Sequence, residues 1–170
     1  MSAALESTSG MLDDSHPLTK TVKKIAGDLV QRIEQVTGNK EHLEDKMKFI
    51  VISSPQRNAF ALPSGHIVVY SGLFNAIDSD HELAGILAHE IGHVLCRHGL
   101  EGLTAVGLRS SAMTALGVLV PWTRSVLSPI VGALLRARQQ QVNEFEADRI
   151  AVHLAYCAGY DPRKLGNALG

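Results

Sequence analysis

The stretch ILAHEIGHVLCRHGLE, residues 86 to 101, gathers three histidines, a cysteine and two glutamates into little more than four helical turns. On an α-helix His89 and His93 lie about 40° apart around the axis and one turn apart along it, so their imidazoles can share one ion. Glu90 falls about 100° from His89 and about 60° from His93, on the rim of that face. It is thus beside a bound ion but poorly placed to ligate it, which suits a general base acting on water. His98 lies about 180° from His89 and cannot join the pair while the helix continues. Cys96 is about 4.5 Å further along the axis than His93, and its side chain is short; it reads as buried packing.

A catalytic zinc takes three protein ligands and keeps one position open. The third ligand cannot be the histidine of the metzincin pattern, which falls ten residues after the first, where this chain has Gly99. A downstream carboxylate is the other solution, and NEFEADRIA, residues 143 to 151, offers one. On helical geometry Glu144 and Asp148 share a face with Ala147, Ala151 and Ala155, small residues that let a second backbone come close. Glu146 is about 160° from Asp148 and reads as a solvated acid beside Arg149 and His153. Glu144 is therefore the candidate ligand, and Asp148, one turn on, is placed to orient a ligand histidine.

These residues need elements to hold them. Ser79 and Glu82 have the spacing of a capping box, so the histidine helix should begin near Ser79. Residues 83 to 96 are apolar on nearly every side except at His89, Glu90 and His93, so this helix should run through the core, with Gly92 leaving room for a neighbour. The acid-bearing helix should span about 138 to 158 and stop at Gly159. Upstream, Val22, Ile25, Leu29, Ile33 and Val36 recur at helical spacing as far as Gly38, predicting one amphipathic helix. FIVIS (49 to 53), NAFAL (58 to 62) and HIVVYSG (66 to 72) are extended runs, the last two joined by Pro63-Ser64-Gly65, and predict a small antiparallel sheet. Residues 1 to 15 read as a flexible tail ahead of a single domain, 16 to 170.

The segment 110 to 135 is nearly uncharged, but Pro121, Arg124 and Pro129 interrupt it and neither half reaches the ~18 residues of a spanning helix. Two packed helices are the simpler reading, and partial membrane association is the other. With 170 residues, 45% of them hydrophobic, the chain can bury a real core. Its 16 basic and 17 acidic residues form no cationic stripe, so nucleic acid is not an expected partner. Both cysteines, Cys96 and Cys157, sit in apolar helical patterns, which indicates no disulfide framework. The N-terminus lacks the basic flank and apolar core of a secretory signal. The end, DPRKLGNALG, has Asp161 as a cap and Pro162 at a first helical position, so the chain is expected to be part of a longer protein.

Three motifs in order, NAFALPSGHIVVYSGL, DHELAGILAHEIGHVLCRH and NEFEADRIAVHLAYCAGYDP, resemble the gluzincin-type zinc metallopeptidases that include the CAAX prenyl protease and the heat-shock protease HtpX. The likeness runs from about residue 45 to 162, and the short insertion between motifs is most similar to the mitochondrial inner-membrane members and their soluble bacterial relatives. The resemblance implies an α+β, mainly helical zincin-like domain with one Zn2+ per chain held by His89, His93 and Glu144, and with Glu90 catalytic. It also implies a substrate-binding edge strand at Asn58, Ala59, Phe60 and Ala61, to which polypeptide substrates would add as a further strand. The expected function is that of a zinc-dependent endopeptidase in protein quality control at a membrane, in the mitochondrial inner membrane of a eukaryote. The alternative is a catalytically weak, zinc-stabilised domain that binds unfolded polypeptide. His153 and Arg149 are the nearest polar candidates for stabilising an oxyanion.

Overall fold

The computed structural model describes residues 10–38, 47–62, 64–96 and 142–164. The readings made for 110 to 135 and for His98 lie outside them. The first helix, α1 (Pro17–Val30), starts with Pro17 at a position that needs no N–H donor, while His16 Nδ1 accepts the Leu18 N–H at 3.2 Å. Its buried stripe is Thr19, Val22, Ile25, Ala26 and Leu29. The single helix expected as far as Gly38 is broken after Val30. The Arg32 N–H turns back to the Leu29 carbonyl, and a short α2 (Ile33–Thr37) then ends at Gly38, whose φ of 68° suits glycine. Ile33 still reaches the core.

Three strands follow: β1 (Lys48–Ile52), β2 (Ala59–Ala61) and β3 (His66–Tyr70), in the order β1-β3-β2. The β2–β3 pair is the expected antiparallel hairpin, but β1 runs parallel to β3, so the sheet is mixed and not antiparallel throughout. The cause is the path of residues 53 to 58, which carry the chain past the end of β3 before it turns back. Ser54 donates its N–H to Ser71 Oγ at 3.1 Å, and its carbonyl accepts from that hydroxyl at 3.0 Å and from the Gly72 N–H at 2.8 Å. Gly72 is required there, because a Cβ would collide with the carbonyls of Pro55 and Gln56.

Residues read as part of a tail also join the sheet. Leu12 N–H bonds the Val51 carbonyl at 2.9 Å and Ser53 N–H the Gly10 carbonyl at 2.6 Å, so the chain covers the outer edge of β1. Among the described residues β2 is then the open edge. The inner face of the sheet, with Val51, Ile67 and Val69, packs on Ile25 and Leu29 of α1 and on Leu83, Leu87 and Ile91 of α3 (Asp80–Leu95). Ser79 caps α3 by accepting the Glu82 N–H at 3.4 Å, and Glu82 reaches back to the Asp78 N–H at 2.7 Å, one residue before the capping-box partner. Residues 82 to 92 of α3 are buried without interruption, as its apolar circumference requires.

The last helix, α4 (142–157), buries Ala147, Ala151, Leu154 and Ala155. It ends where Gly159 turns left-handed at φ 86°: Gly159 N–H bonds the Tyr156 carbonyl and Tyr160 N–H the Ala155 carbonyl, at 3.0 and 2.8 Å. This pair of hydrogen bonds is the Schellman closure that a glycine at that place permits. A short 3-10 turn, Pro162–Lys164, follows, with Asp161 Oδ1 accepting the Arg163 N–H at 3.0 Å.

Candidate metal centre

Polar side chains of graded burial meet where α3 crosses α4: His89 is buried, His93 half-buried and Glu144 exposed. The crossing is close because Gly92 faces Ala147: a Cβ on Gly92 would lie 2.8 Å from the Ala147 carbonyl oxygen and 2.9 Å from its Cα. Ala147 stands between Glu144 and Asp148 on α4, as Gly92 stands beside His93 on α3. Backbone contact therefore sets how far the carboxylates reach toward the imidazoles.

His89 Nε2 and His93 Nε2 approach to 3.0 Å. Glu144 Oε2 lies 3.3 Å from the first and Glu144 Oε1 3.6 Å from the second. Donor atoms on a tetrahedral zinc, at ~2.0–2.1 Å from the ion, are about 3.3 Å apart, so these separations bracket what one ion needs. His89, His93 and Glu144 are also the set of potential metal-ligating groups that converges among the described residues. Asp148 Oδ1 lies 2.8 Å from His89 Nδ1. A proton held on Nδ1 by that carboxylate leaves the Nε2 lone pair directed at the cluster. The donor set and its spacing fit a zinc ion.

Glu90, beside His89 in sequence, turns toward β2 and is nearly inaccessible to solvent. Burial pushes its carboxyl up to about 7, against the opposing pull of His89 and the N–H of Ala61, with Glu144 adding to the rise. The Ala61 N–H is available because of strand register. Asn58 and Leu62 bond to Tyr70 and His66 of β3, so the alternate residues Ala59 and Ala61 turn their N–H and C=O groups to the open edge. Nothing in the sequence pattern signalled that the edge strand and Glu90 face each other; it follows from β2 lying against α3.

The structure thus brings together His89, Glu90, His93, Glu144 and Asp148, with Ala59 and Ala61 alongside. Glu146 is exposed on α4, on the side away from the cluster. Arg149 and His153 are exposed as well, about 140° and 180° around α4 from Glu144, and His153 Nδ1 bonds the Arg149 carbonyl at 2.7 Å. Neither stands over the cluster. Cys96 caps α3, half-buried, and neither Cys96 nor Cys157 is in a disulfide.

A helix presenting two histidines one turn apart to a carboxylate from a second helix is a zincin-like arrangement, and the comparisons with known proteins agree. The model of Peptidase family M48 matches residues 23–169, and the chain belongs to that family. It is 39% identical over 127 residues to the mitochondrial metalloendopeptidase OMA1 of Arabidopsis thaliana, covering 72% of this chain and 25% of that protein. It is 34% identical over 146 residues to the beta-barrel assembly-enhancing protease of Yersinia pestis, covering 79% of this chain and 30% of that one. With the metalloprotease YcaL of Escherichia coli it shares 30% over 156 residues, 89% of this chain and 58% of the relative. The chain therefore spans between a quarter and three fifths of the length of these relatives.

Proposed function

We propose that the chain is the catalytic domain of a zinc-dependent metalloendopeptidase, with one zinc ion held by His89, His93 and Glu144. The convergence of the two Nε2 atoms and the Glu144 carboxylate, with Asp148 behind His89, carries this reading. Zinc in such a site supplies Lewis-acid chemistry, polarising a carbonyl and making water acidic at neutral pH. The chain's own residues do the rest. Glu90 takes a proton from the attacking water and delivers it to the leaving amine, from a position shielded by β2. Burial holds its carboxyl up at about 7, which suits a group that takes up a proton and gives it back. Ala59, and Ala61 through its carbonyl, present peptide groups to an extended substrate, which can add to the open edge with modest dependence on its sequence.

In this reading the substrates are unfolded or damaged polypeptides handled at a membrane, in the mitochondrial inner membrane for a eukaryotic chain. The relatives' names, mitochondrial metalloendopeptidase and beta-barrel assembly-enhancing protease, support that setting. The test is metal analysis together with cleavage of unfolded casein. The expected result is about one zinc per chain and chelator-sensitive cleavage. Glu90→Gln should retain the zinc while cleavage falls by ~10²–10⁴-fold, since a base is lost and no ligand is. Full activity in Glu90→Gln would remove the base assignment, and wild type without zinc would remove the whole reading.

A further inference from the structure

Apart from the cluster, the most pronounced chemical feature of the described surface is the outer side of α4. Val142, Phe145, Val152 and Tyr156 are 47%, 71%, 40% and 73% exposed, although the same helix buries its alanine face completely. With Arg149 they recur at intervals of three, four, three and four residues, which aligns them in one stripe along the helix. Among the described residues no acid lies within ion-pair range of the Arg149 guanidinium, which stands at the middle of the stripe.

We propose that this face of α4 docks on the surface of a phospholipid bilayer carrying anionic headgroups. Three observations select that occupant. The stripe is about 21 Å long and one helix wide, a footprint of roughly 200 Å², well below the ~800 Å² per partner of a stable protein interface. A second copy is disfavoured further, because antiparallel pairing of two such helices would bring the central Arg149 of each together. Aromatic and aliphatic groups flanking a guanidinium are, by contrast, what an interfacial helix presents: apolar side chains enter the headgroup boundary and arginine meets the phosphates. Glu146 and Asp148 lie on either side of the stripe, about 80° from its centre, clear of the plane of contact. Since Glu144 is on the same helix, docking would hold the metal cluster at a fixed height above the membrane. The proposal does not depend on that cluster being catalytic.

The experiment is flotation of the full chain with vesicles of phosphatidylcholine alone and of phosphatidylcholine with phosphatidylglycerol. Binding is expected to the mixed vesicles and to weaken by about fivefold in Arg149→Gln. The triple variant Phe145→Ser, Val152→Ser, Tyr156→Ser should lose at least about tenfold, with its circular dichroism and zinc content unchanged. Undiminished flotation of the folded triple variant would overturn the proposal, because residues 110 to 135 would then suffice. Failure of wild type to float with mixed vesicles would overturn it equally. If the triple variant does not fold, Tyr156→Ser alone decides between these outcomes, since one exposed side chain is the least disruptive change.

Discussion

Glu144 and Glu146 are two residues apart, yet they occupy different physical environments. Both are exposed, but Glu144 oxygens lie 3.3 and 3.6 Å from the two histidine Nε2 atoms, whereas Glu146 points to the far side of α4. On the proposed assignment of Glu144 as one of three protein ligands, its replacement would remove zinc and with it the free energy that binding contributes to folding. Glu144→Ala should therefore purify with little metal, lose activity and melt earlier. Glu146→Ala should stay within about half a kcal/mol of wild type and keep its zinc. Metal analysis and thermal melts of both variants read this out, and the reverse pattern would mean that α4 is rotated in solution. This distinction was legible in the sequence because an α-helix converts spacing into angle: a three- or four-residue step stays on one face and a two-residue step does not. The same conversion placed His89, His93, Glu90 and Asp148. What spacing could not give is Glu90 facing the Ala61 N–H, since the two groups belong to different elements and only tertiary packing brings them together.

At the level of elements, the α3–α4 crossing is the feature on which the cluster depends. Gly92 was read as leaving room, and the room is filled by backbone: the Ala147 carbonyl and Cα lie within 3 Å of where a Cβ would be. Backbone in a packed helix cannot step aside, so Gly92→Ala must push the helices apart at a cost of about 1–3 kcal/mol. Glu144 and Asp148 flank Ala147 and would move with it. Lower melting temperature and weakened zinc retention should therefore appear together. Gly27 provides the control, because nothing lies within 4 Å of its Cβ position in the last turn of α1. Gly27→Ala should instead stabilise by roughly 0.5–1 kcal/mol through helix propensity, with zinc unaffected. If Gly92→Ala holds zinc as well as Gly27→Ala does, the close crossing does not position the ligands. The sheet was less legible than the helices. Three short extended runs gave the strands, but the sheet was expected to be antiparallel and β1 runs parallel to β3. The insertion of β3 between β1 and β2 rests on Ser54, Ser71 and Gly72, whose contacts no alternation pattern encodes.

Across the whole molecule, α4 is fastened at two ends: by the cluster near Glu144 and, after its glycine stop, by Tyr160. The Tyr160 hydroxyl donates to Asp28 Oδ2 on α1 at 2.8 Å, across 132 positions of sequence, and its ring meets His81 of α3 edge to face. Nothing in the sequence announced this contact, because a tyrosine following a helix stop is compatible with many partners. Its chemistry makes it measurable apart from the metal. Burial, reinforced by the hydrogen bond to Asp28 and by the negative charges of Asp28 and Asp80, pushes the Tyr160 phenol up to about 12. In the unfolded chain a tyrosine titrates near ~10. Between these values the unfolded state has released its proton while the native state keeps it, so the contribution is intact below pH ~10 and is lost as pH rises toward 12. Tyr160→Phe keeps the ring and removes the ionisable hydroxyl. Wild type should melt above this variant at pH 9, and the gap should close as pH rises from about 10 to 12, while other alkaline effects act on both proteins alike. A gap that stays constant through that range would show that the phenol is not held protonated by Asp28. Adding a chelator lowers both curves and leaves the gap unchanged if the two fastenings act independently, as sites without shared partners do.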